Sequence, residues 1–70
     1  MTRITISGVS KSDREEVTEL AEVYLGGEYE ITAAGDDGEW EIDTWADGKV
    51  VEFTNRLRQF GFSVEAEDYG

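Results

Sequence analysis

The chain has 70 residues, with 17 acidic and 6 basic side chains and a net charge of −11. A field of that sign repels nucleic acid and anionic membranes and attracts basic proteins or cations, so the chain is not expected to bind nucleic acid directly. Histidine and cysteine are both absent. Their absence excludes disulfides, thiolate sites and every nucleophile activated by histidine, and a chain this short has little room for a deep active site.

Hydrophobic residues make up 39% of the chain, enough for one globular domain spanning residues 1–70. No apolar run reaches membrane-spanning length, and residues 1–15 lack a signal-peptide core. A cytoplasmic protein without membrane contact is the resulting expectation.

In chain order, Met1 to Val9 alternates, with Ile4 and Ile6 on one side and Arg3, Thr5 and Ser7 on the other. This is the period of a half-buried strand. Ser10 or Ser12 then caps a helix, and Ser12 followed by Glu15 fits a capping box. Val17, Leu20, Ala21 and Tyr24 recur at helical spacing as the buried stripe, and Gly26-Gly27 stops the helix.

The stretch Glu28 to Trp45 reads as a β-hairpin, with two alternating flanks around Gly35-Asp36-Asp37-Gly38. Its inner face is expected to hold Tyr29, Ile31, Ala33, Trp40 and Ile42. Its outer face holds Glu28, Glu30, Glu39, Glu41 and Asp43, with Trp45 either exposed beside them or turned back into the core. Asp47 is a candidate N-cap for a second helix bearing Val50, Phe53, Leu57 and Phe60, which Gly61 ends. Phe62, Val64 and Ala66 alternate with Ser63, Glu65 and Glu67 in a fourth strand, and Asp68 to Gly70 reads as a frayed tail.

The order βαββαβ implies an α+β fold of ferredoxin-like type. The expected sheet is four-stranded and antiparallel, in order 4-1-3-2, with both helices on one face. The other face stays open. It would carry Glu28, Glu30, Glu39, Glu41, Asp43, Glu65 and Glu67 around a single base, Arg3. Like charges on neighbouring strands destabilise a sheet by a few tenths of a kcal/mol per pair, roughly, so the concentration suggests a use or a screening environment. Helix 1 adds Glu15, Glu19 and Glu22 as a second acidic ridge.

Catalytic and cofactor readings find no support. Solvated carboxylates lack the burial that splits pKa values for acid–base work. Asp36, Asp37 and Glu39 cluster oxygens, but the spacing of a calcium loop is absent, so a plain turn is expected and neither metal nor cofactor. The loop Gly8-Val9-Ser10-Lys11 carries no Cys-x-x-Cys for a soft metal, and the open face lacks the aromatics of an RNA-binding sheet.

In size, charge, element order and the carboxylates Glu28, Glu30, Glu39, Glu41 and Asp43, the chain resembles small phage-encoded anti-CRISPR proteins of the DNA-mimic type. That resemblance implies a non-enzymatic inhibitor acting in the host cytoplasm, with the basic groove of a nucleic-acid-binding protein as partner and a type I Cas surveillance complex as target. The binding residues would be Glu28, Glu30, Glu39, Glu41, Asp43, Trp45, Glu65 and Glu67. The alternative is a scaffold domain, halophilic or designed, whose acidity serves solubility alone. A monomer is expected, since Glu28 and Glu30 discourage edge pairing.

Overall fold

The computed structural model describes residues 1–35 and 37–68. Strand β1 (Thr2–Ser7) is followed by helix α1 (Arg14–Leu25), strands β2 (Tyr29–Ala34) and β3 (Trp40–Thr44), helix α2 (Val50–Gln59) and strand β4 (Ser63–Asp68). All three strand pairings are antiparallel, and the order across the sheet is β2-β3-β1-β4, which is 4-1-3-2 read from the other edge.

One cluster of buried side chains joins both helices to one face of the sheet. Ile4, Ile6 and Ile42 project from the sheet with no exposed surface. Val17 and Ala21 of α1 and Phe53 and Leu57 of α2 meet them, equally buried. Tyr24 and Phe53 bring the helices together with ring centroids 6.3 Å apart. Each fully buried aliphatic or aromatic side chain contributes about 1.5–3 kcal/mol of transfer free energy, so these few residues carry much of the fold. Trp40 also lies in this core, where its indole Nε1 is a buried donor with no acceptor among the described residues.

Local chemistry differs from expectation at several joints. The first helix starts through a 3₁₀ turn, Lys11–Asp13, capped by Ser10, one of the two serines expected there, while the box closes on Asp13 and not between Ser12 and Glu15. Asp13 Oδ2 accepts from the Ser10 backbone N–H at 3.3 Å and from its hydroxyl at 2.7 Å. Asp47 does not cap α2. It sits inside a second 3₁₀ turn, and its carboxylate accepts the Thr2 hydroxyl at 2.8 Å, tying the turn to β1. Gly26 ends α1 in the left-handed conformation, φ 61°, donating its N–H to the Glu22 carbonyl.

Phe60, expected in the core stripe, is 46% exposed at the end of α2, where the Arg56 guanidinium stacks 5.1 Å from its ring centroid. Phe62 takes the buried position, 9% exposed, because the chain has already turned at Gly61. Ala66 is exposed although it shares strand parity with buried Val64. Asp68, expected in a tail, completes β4 opposite Thr2; Tyr69 and Gly70 lie outside the described residues.

The hairpin contains a further departure. Ile31 pairs with Ile42, yet Ala33 pairs with Glu41, so the register slips by one at Thr32. This is a β-bulge, and a one-residue slip moves every later side chain to the opposite face. Ala33 therefore leaves the core face and joins Glu41 on the open one. The turn beyond it docks on the loop after β1: Val9 N–H donates to the Gly38 carbonyl at 3.0 Å. Gly38 has φ 87°, and a Cβ there would meet the Val9 carbonyl oxygen at 3.0 Å.

Candidate interaction surface

The face opposite the helices is built row by row from the strand register. One row crosses all four strands as Glu30, Asp43, Arg3 and Glu67. The next runs Ala33, Glu41, Thr5 and Glu65. Neighbours in a row stand ~4.8 Å apart along the ladder, and residues two apart on a strand ~6.8 Å. The carboxylates of β3 and β4 therefore form two columns flanking Arg3 and Thr5 on β1.

Arg3 determines what the centre of this face can do. Its Nε donates to Asp43 Oδ1 at 2.9 Å and its Nη2 to Asp43 Oδ2 at 3.2 Å, a two-pronged, charge-assisted grip. Nη1 lies 3.6 Å from Glu41 Oε1. Asp43 is only 7% exposed. Its hydrogen bonds from Arg3 hold its carboxyl below the usual carboxylate range, against the opposing effect of burial. Asp43 was expected as a solvated contact residue; the structure makes it an internal counter-ion instead. The cause is geometric, since β1 lies inside the sheet and its Arg3 is directly opposite Asp43.

The other expected contact residues fall into three groups. Glu28 and Glu30 are exposed at the β2 side, and Glu65 and Glu67 are exposed on β4. Glu41 is half-buried beside Arg3. Glu39 is exposed just before β3, where it lines a groove with Asp37, Glu41 and Thr5. Asp37 Oδ1 accepts the Glu39 N–H at 3.1 Å, which fastens the turn. Asp36 lies outside the described residues. Among the described residues, no group of three or more acids is placed to hold a metal ion.

Trp45 is exposed, at 52%. It follows the end of β3, and its N–H donates to the Glu28 carbonyl at 3.3 Å. The preceding residue, Thr44, is the one turned inward: it is wholly buried and its hydroxyl donates to the same Glu28 carbonyl at 2.6 Å. That hydroxyl also accepts the Ala46 N–H at 3.1 Å. The strand end thus presents the indole outward while Thr44 satisfies the buried backbone around it.

The acidic ridge on α1 is present as expected, with Glu15, Glu19 and Glu22 all exposed. Glu22 is partly committed, because Tyr29 donates its hydroxyl to Glu22 Oε2 at 2.9 Å. That hydrogen bond, with burial and the nearby negative charge, raises the Tyr29 phenol above its ordinary pKa.

Two arginines not singled out from the sequence prove to guard the sheet edges. Arg58 Nη2 donates to the Val64 carbonyl on β4 at 3.0 Å, and Arg14 Nη2 to the Ala34 carbonyl at the end of β2 at 3.5 Å. The signal in the sequence is the placement of Arg58 in the last turn of α2, where a cation also favours the helix dipole.

The chain matches no family model, no curated protein and no solved structure. Among the described residues, no helix is long and apolar enough to cross a membrane.

Proposed function

We propose that the chain is a non-enzymatic binding protein whose open sheet face imitates the charge of nucleic acid and occupies a basic groove on a nucleic-acid-binding partner. The observation that carries this reading is the sheet arrangement: exposed Glu30, Glu65 and Glu67 share the face that the helices leave uncovered, with exposed Glu28 just before β2 and Glu39 just before β3. Side chains at ~6.8 Å along a strand can meet rows of Lys and Arg, and a field of −11 steers a cationic partner toward them. The element order and sheet are those of a ferredoxin-like arrangement. Under the resemblance drawn from the sequence, the partner is a DNA-binding subunit of a type I Cas surveillance complex and the activity is inhibition.

The working surface differs from an unbroken sheet of carboxylates. Asp43 is taken by Arg3, so the contact residues are the flanking acids, with Trp45 as an anchor at the β3 end. A second reading, an acidic scaffold without a specific partner, draws on the exposed carboxylates of α1, which show that acidity is not confined to the sheet.

The test is capture of host proteins on the immobilised chain at low and at high salt, with duplex DNA as competitor. A mimic retains a basic nucleic-acid-binding protein, releases it as salt rises and releases it to added DNA. Retention that DNA does not compete favours the scaffold reading.

A further inference from the structure

The two edges of the sheet are protected unequally. Edge strand β2 carries the bulge at Thr32, which breaks its regular register. Edge strand β4 carries none: it pairs with β1 without interruption from Ser63 opposite Ser7 to Asp68 opposite Thr2. Its outer side has no strand partner among the described residues.

The Val64 carbonyl points out of the ladder toward Arg58. Strand periodicity turns the N–H and C=O of Ala66 the same way. A groove lined by Arg3, Thr5, Arg58, Glu65, Ala66 and Glu67 runs from that edge across β4 onto the open face. Ala66 is small and exposed, so its own side chain does not block approach.

We propose that β4 is a docking edge for an extended basic segment of a partner protein, which adds as a fifth strand. Main-chain hydrogen bonds to Val64 and Ala66 would supply the pairing, and lysine or arginine at alternate positions would face Glu65 and Glu67. A second copy of this chain is a poor occupant, because antiparallel pairing of β4 with itself sets Glu65 and Glu67 against their own kind. The acids thus select a basic strand over self-association. Arg58 holds the Val64 carbonyl until the incoming strand replaces it. This inference rests on the acidic-surface reading and narrows it to one edge and one backbone geometry.

The test uses a short peptide alternating lysine and valine, and the same peptide N-methylated on the amides that would face β4. Binding is followed by NMR of the backbone amides at low salt. The unmodified peptide is expected to bind and slow exchange of the Ala66 N–H. N-methylation should weaken binding about tenfold, the effect of losing one or two hydrogen bonds. Ala66→Pro, which removes one edge donor and is tolerated on an edge strand, should weaken it similarly with an unchanged circular dichroism spectrum. Arg58→Ala should tighten binding, since it clears the carbonyl and removes a like charge. Equal binding of both peptides overturns the docking edge and leaves the acidic-surface reading standing, as the contact is then electrostatic. No binding of either peptide, or a concentration-dependent dimer in sedimentation, overturns the docking edge as well. The acidic-surface reading is then decided separately by DNA-competed capture.

Discussion

Replacing Arg3 with alanine is the most informative perturbation of the sheet. It leaves Asp43, 7% exposed, without its two-pronged partner and surrounded by Glu30, Glu41 and Glu67. Removing one member of a fully buried pair costs about 3–5 kcal/mol, whereas an exposed pair is worth about 0–1 kcal/mol. Here the Asp43 side chain is 11% exposed and the Arg3 side chain 37%, so the effect falls between, at about 2 kcal/mol. A domain of this size has roughly 3.5–10 kcal/mol in total, so the melting temperature should fall by about 8–16 °C. Thermal and urea unfolding followed by circular dichroism give both quantities. The pH dependence adds a second check. Because Arg3 depresses the Asp43 pKa in the folded state, the pair's contribution is fully present above the ordinary carboxylate value of about 3.9 and is lost as pH falls through the folded value. Parent and variant should therefore differ at neutral pH and converge in acid. A variant within a few tenths of a kcal/mol of the parent at pH 7, with no convergence, would refute the account of Asp43 as an internal counter-ion.

Other consequences follow from the same geometry. Gly38→Ala should destabilise by about 1–3 kcal/mol in urea unfolding, since the position has φ 87° and a Cβ would press on the Val9 carbonyl. Phe53→Ala, at a site with no exposed surface between the helices, should cost about 3–5 kcal/mol in urea unfolding. Spectrophotometric titration should find the Tyr29 phenol ionising above its ordinary pKa, and Glu22→Gln should bring it down by removing both the charge and the charged acceptor.

The periods of two and 3.6 were sufficient to read the element order and the helix stripe from Val17 to Tyr24, because these depend on which residues must leave water, and the handedness of the crossovers then gave the strand order. What the sequence hid depends on neighbours distant in the chain. Strict alternation placed Ala33 inside, and only the pairing of β2 with β3 reveals the bulge that turns it out. Asp43 looked like any exposed acid until β1 set Arg3 opposite it. Phe60 fitted the helical period but falls where α2 has run past its cover, and Phe62 replaced it. Ser12 and Asp47 suited caps by type, yet the capping box forms between Ser10 and Asp13, and the Asp47 carboxylate accepts the Thr2 hydroxyl instead. The exposed acids Glu28, Glu30, Glu65 and Glu67 were legible because a charged side chain at an alternating position has nowhere to go but solvent.

The most direct measurement of the proposed function compares two double charge reversals in DNA-competed capture of the partner. Glu65→Lys with Glu67→Lys alters the sheet face, and Glu15→Lys with Glu19→Lys alters α1; all four positions are exposed, so both variants should stay folded. Each reversal pair changes the net charge equally, so a difference between them reports location and not total charge. The sheet variant should lose the partner, with a reduced salt dependence of what remains, while the helix variant retains it. Loss in the helix variant alone would move the binding surface to α1. Retention by both would contradict nucleic-acid mimicry by the sheet.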